Sequence, residues 1–180
     1  MNRTAHVGLL AAYNQWMNSK LYDAAKTLPD EELVADRKAF FGSIIGTLNH
    51  LVVADTIWLK RFATHPTHFA ALEPIKAFPS PTRLDQLIFA DLPSLAAHRA
   101  ALDRIITEWA RSVGEDDLDH VLRYASMKGV VSCRSYFGLL MHFFNHQTHH
   151  RGQITTLLSQ AGVDVGATDL LMLVPDEIEI

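Results

Sequence analysis

Apolar side chains return every three or four residues along four separate stretches of the chain, and no other feature limits its fold so strongly. Residues 4–27 carry Leu9, Leu10, Tyr13, Trp16, Met17, Leu21 and Ala24 at this spacing. A second stretch, 43–63, runs through Ile44, Leu48, Leu51, Trp58 and Phe62. A third covers 84–112, with a bend or break expected around Pro93, and a fourth begins near Ser132 or Arg134 and ends at Gln160. A period near 3.6 gathers such residues on one helix face, which has to be buried against another element. The expected fold class is all-α: a four-helix up-down bundle.

The segments between these stretches carry breakers. Pro29 interrupts the pattern at "LPDEEL", and Gly114 and Gly162 follow helix ends. Residues 64–82 hold Pro66, Pro74, Pro79 and Pro81, which predicts an irregular segment. Several connections are longer than a minimal bundle needs, so at least one long crossover connection is expected. In "HVLRYASMKGVVSC" the period changes, and β-branched and aromatic residues flank "SMKG". That pattern predicts a small β-hairpin before the last helix. The tail "TDLLMLVPDEIEI" suggests one short helical turn before an acidic end.

At 180 residues with 48% hydrophobic and 20% charged content, the chain can bury a core as one domain, 1–180, without disulfides. Its net charge is −4 and its Lys and Arg residues are scattered in sequence, so no nucleic-acid footprint stands out. The lone Cys133 excludes an intramolecular disulfide, fits a reducing cytoplasm, and reads as a small packed residue. No apolar run is long enough to span a membrane, and Tyr13, Asn14 and Gln15 interrupt the apolar patch near the start, unlike a secretory leader. The expected setting is cytoplasmic, with no membrane partner.

The last helix is crowded with imidazoles. "FFNHQTHHRGQ" and His142 just before it place four histidines close together. With His142 at the wheel origin, the large apolar side chains centre near about 110°. His150 at about 80° and His146 at about 40° fall on that core-facing side, whereas His142 and His149 lie further round. His146 and His150 are spaced i,i+4, which lets two imidazoles approach one metal ion. Metal sites normally take three or four protein ligands, and His50, in "GTLNHLVVAD" with Thr47, Ala54 and Ile57 on its own face, is the best third. His65 and His68, in the proline-rich segment, are expected in solvent; His6, His98 and His120 lack a partner at ligand spacing.

"FGSIIGTLNHLVVADTIWLKRF" and "FFNHQTHHRGQ" together resemble the DinB family, and "AAYNQWMN" and "AGVDVGATDLLMLVP" resemble that family's flanking segments. The likeness covers essentially the whole chain. It implies a four-helix bundle, commonly a homodimer, associated with damage or stress, in which three histidines hold zinc or nickel. Carried onto this chain, those ligands are His50, His146 and His150. The resemblance also implies two kinds of chemistry: transfer or isomerisation with a low-molecular-weight thiol, or metal-dependent hydrolysis of a small-molecule substrate.

Three neutral imidazoles leave a metal with an open position for water or a thiol, an arrangement suited to catalysis. No general base is evident. Asp55 lies about 140° round its helix from His50, so a salt bridge or packing hydrogen bond suits it better. Tyr13, Asn14 and Trp16 are candidates to line a pocket beside the metal, with core packing as the alternative for Tyr13 and Trp16. Gln153, at about 20°, is a candidate to support a ligand, and Arg151, at about 180°, reads as a structural ion-pair or interface residue. Two functions stay open: a metal-dependent transferase or hydrolase, and a stress-associated metal-binding or interaction protein without turnover.

Overall fold

Each long helix starts at a side chain that takes up its free amides. Asn2 accepts from the Ala5 amide, Ser43 from Gly46, Asp91 from Ser94 and Ser135 from Gly138, at 2.8–3.2 Å. A computed structural model describes residues 1–176. The four long helices are α1 (Arg3–Ala25), α3 (Ile44–Phe62), α4 (Leu92–Ser112) and α5 (Tyr136–Gln160). A single turn, α2 (Asp30–Val34), precedes α3. β1 (Val121–Ala125) and β2 (Val131–Ser135) form an antiparallel hairpin directly before α5. α1 packs on α4 and α5, and α3 packs on the same two helices. The fold is mainly helical with one small hairpin.

Two helix starts and one segment differ from the sequence reading. α4 starts at Leu92, not at 84, and Pro93 lies in its first turn rather than at a bend. A first-turn proline gives up no helical hydrogen bond, and Asp91 supplies the cap. α5 starts at Tyr136 because Ser132 and Arg134 are paired with Tyr124 and Leu122 in the hairpin. Within the proline-rich segment, Ala70–Ala77 forms 3-10 turns that bury Leu72 and Ile75. At the other end of α5, Gly162 takes φ +82°, the left-handed conformation in which glycine best stops a helix. The tail forms one 3-10 turn at Leu170–Leu173; the acidic residues 177–180 lie outside the described part.

The buried apolar side chains make one connected core. Trp109 stacks on Phe62 with ring centroids 5.1 Å apart and donates its indole N–H to the Tyr136 hydroxyl. Each fully buried large side chain of this kind contributes about 1.5–3 kcal/mol. A second, polar centre crosses the bundle. Arg99 donates to Asp55 at 2.6 Å and lies 2.9 Å from Asp103, which also accepts from Asn14 and Asn18. Arg151 donates to Asn14 and to Thr148. Asp55 therefore has the structural ion pair expected of it. Arg151 is buried and bonded to neutral groups instead of pairing with a carboxylate. Cys133 is exposed, contrary to its expected packing, because among the described residues nothing covers that face of the two-stranded hairpin.

Candidate metal centre

α3 and α5 bring His50, His146 and His150 together. The Nε2 atoms of His50 and His146 are 3.4 Å apart, and the His150 ring centroid lies 4.4 Å from each of the other two. One ligand nitrogen from each ring falls within 4.8 Å of the others. Tetrahedral zinc with nitrogen ligands at its usual bond length holds neighbouring donors about 3.4 Å apart, the spacing of His50 and His146.

The surroundings select the tautomers. Nδ1 of His50 lies 2.9 Å from the Leu84 carbonyl, which can only accept, so the proton sits on Nδ1 and Nε2 keeps its lone pair. Nδ1 of His150 lies 2.8 Å from Oε1 of Gln153. Gln153 is held that way round because its amide nitrogen faces His149 Nε2 at 3.3 Å. Burial pushes His50 down to about 4 and His146 to about 3, and lowers His150 as well. All three are neutral at pH 7, as metal ligands must be. The donor set and its tautomers fit a divalent ion.

Two local features shape the approach to these rings. Phe41 stacks on His50 with centroids 3.8 Å apart at 16°, and meets His150 edge-on at 5.6 Å. It is carried on a tight loop in which Lys38 and Gly42 have positive φ and Ala39 bridges to Gly42. Gly46 in α3 lets this loop come close, since a Cβ there would run into the Phe41 carbonyl. A cavity of about 350 Å³ opens against His50 and His146, lined further by Trp58, Arg61, Leu84 and His142. A larger one, about 590 Å³, shares Trp58 and His142 and extends to Tyr124 and Arg134 at the hairpin.

The other sequence candidates sit elsewhere. Tyr13 is buried, donates to the Thr168 carbonyl and lies under the Arg151 guanidinium at 5.2 Å. Asn14 belongs to the polar centre, and Trp16 packs near Tyr13 with Lys20 over its ring. None of the three lines the cavities beside the histidines. Their helix faces α4 and α5, whereas those cavities are walled by α3, α5 and the hairpin. His65, expected in solvent, is buried between Phe69, His120 and Tyr136, its Nε2 3.3 Å from the Asp117 carbonyl. His68 is exposed.

Phe41, Trp58, Arg61, Leu84 and His142 were not among the sequence candidates for the site. Trp58 and Arg61 had a readable signal, because they follow His50 by about two and three turns on the same helix face. Leu84 had none: it acts through a main-chain oxygen.

A mainly helical protein with three convergent imidazoles from two of its helices is a candidate metal-binding bundle. The chain belongs to the DinB family, whose model it matches over residues 1–177. It is 27% identical over 162 residues to Protein DinB of Bacillus subtilis (strain 168), covering 89% of this chain and 88% of that relative. No solved structure matches.

Proposed function

We propose that His50, His146 and His150 hold a divalent metal ion, zinc foremost and nickel as the alternative, and that the protein is a metal-dependent enzyme acting on a small molecule. The reaction is thiol-dependent transfer or hydrolysis. The observation that carries the reading is the pair of preset tautomers: two of three converging imidazoles are turned, by a carbonyl and an amide, to present bare Nε2 atoms to one another's neighbourhood. Neutral imidazole sets suit zinc and nickel. With three protein ligands, such an ion supplies Lewis acidity toward a thiol or water at its remaining position.

The chain's own residues do the rest. Leu84 and Gln153 orient the ligands, Phe41 excludes water from the ring it covers, and the cavity at Trp58 and His142 receives the substrate. The four long helices form a bundle in which residues 63–91 are the crossover: they return the chain from the end of α3 to its start, where Asn49 binds Ile88 and Phe89, so α4 runs parallel to α3 rather than up-down. The family likeness supports a cytoplasmic homodimer with a stress-associated role.

One observation favours a non-catalytic metal-binding or interaction role instead: among the described residues, no carboxylate lines either cavity to act as a general base. Calorimetry of the zinc-loaded protein against bacillithiol, mycothiol and glutathione separates these readings. Metal-dependent binding of one thiol supports transfer. Binding of none sinks the thiol reading and leaves hydrolysis, to be tested by assaying metal-dependent ester and amide cleavage.

A further inference from the structure

The Lys and Arg residues that look scattered in sequence are gathered by the fold. The cavity against His50 and His146 is lined by Arg61 and Lys128, and the adjoining one by Arg134. A third, on the far side of Arg61, is lined by Lys60 and Arg123. Among the described residues no Asp or Glu lines any of the three, in a chain whose net charge is −4. None of Arg61, Arg123, Lys128 and Arg134 is paired with a carboxylate among the described residues. Cations left without a counter-ion around a low-dielectric concavity produce a positive field that draws in anions.

Arg61 is also fixed in place. Its guanidinium lies 4.6 Å from the Trp58 ring centre and 5.1 Å from that of Tyr124, and these two rings are themselves 5.3 Å apart. Contact with both rings restrains the guanidinium, and among the described residues its N–H donors make no hydrogen bond, which leaves them free to receive an oxyanion bidentately. Trp58 supplies apolar wall beside it and Leu139 does so in the adjoining cavity, and Trp58 and His142 belong to both of these cavities.

We propose that this groove takes a small organic oxyanion, with an apolar body against Trp58 and Leu139 and a carboxylate or phosphate head held by Arg61 and Arg134. The proposal rests on the reading of the histidine trio as the reaction centre only for what happens next. The anion site itself stands on the arginines and the cavities. Their concave shape, and volumes of about 350 and 590 Å³, suit a small molecule rather than a nucleic-acid backbone.

The test is calorimetric titration with benzoate, phenyl phosphate and neutral benzamide, on the protein as purified and again after chelation of metal. At least one anion binds in both preparations, benzamide binds about tenfold more weakly, and affinity falls as salt is raised. Which of the two anions binds more tightly identifies the head group. Arg134→Gln, at an exposed position, and Arg61→Gln each lower anion affinity by about tenfold. Unchanged melting of Arg134→Gln keeps that result free of folding effects. Benzamide binding as tightly as the anions, full affinity in Arg134→Gln, or binding of a DNA oligonucleotide with no binding of either small anion overturns the proposal. Because the chelated protein is tested too, anion binding by a protein that holds no metal supports this site while refuting the metal reading.

Discussion

Nδ1 of His50 faces the main-chain oxygen of Leu84 at 2.9 Å, and the residue next to His50 holds that oxygen's segment in place. Asn49 accepts from the amides of Ile88 and Phe89 and donates to the Phe89 carbonyl, clamping the segment before α4 against α3. Asn49→Ala leaves those groups unpaired, so stability falls by about 1–3 kcal/mol. The Leu84 carbonyl then drifts from His50, and metal affinity drops by about 10–100-fold, the usual cost of losing an orienting partner. Chemical denaturation and a metal-chelator competition measure the two effects. A variant with wild-type affinity would show that the clamp does not orient His50.

Gly46→Ala tests the Phe41 cover. The new Cβ meets the Phe41 carbonyl, so the loop has to shift away from His50. Stability falls by about 1–3 kcal/mol, as for other overpacked sites, and bound metal dissociates faster. Unaltered melting and unaltered release would mean that the loop gives way without moving the ring.

Asp55→Ala separates the polar centre from the metal centre. Arg99 keeps a buried charge without its 2.6 Å partner, and stability falls by about 3–5 kcal/mol. Metal content of the folded fraction stays at the wild-type level, because Asp55 bonds to Arg99 and not to the histidines. Loss of metal from well-folded variant protein would contradict that division.

Acid has a defined effect on the metal-free protein. Burial holds His50 at about 4 and His146 at about 3, below the ordinary 6.5. Below about pH 6.5 the unfolded chain takes up protons that the folded chain does not. Stability from these groups is therefore complete above about pH 6.5 and is lost as pH falls toward their folded values. Melting temperatures of chelator-treated protein from pH 8 to pH 4 follow this slope, and His146→Gln flattens it. A wild-type slope retained in His146→Gln would place the acid sensitivity elsewhere.

Much of the site was legible because one helix wheel decides which imidazoles face inward. His146 and His150 share the core-facing side of α5, and His50 faces them from α3. The hairpin was readable from the change of period at "ASMKGVV", and the helix end at Gly162 from its place after Gln160. The rest depends on chain segments meeting in space. The Leu84 carbonyl is a main-chain group that any residue could supply, and Phe41 reaches His50 only through the backbone turns at Lys38 and Gly42. Arg61 and Arg134 look unrelated in sequence until the hairpin folds over α3. Tyr13 and Asn14 misled because an inward polar residue serves a buried hydrogen-bond network as well as it serves a site.

Elemental analysis of wild type beside His50→Ala, His146→Ala and His150→Ala tests the metal centre most directly. Wild type should carry about one zinc or nickel ion per chain, and each variant should lose most of it and melt at a lower temperature. Full metal content in any of the three folded variants, or none in carefully prepared wild type, would contradict this.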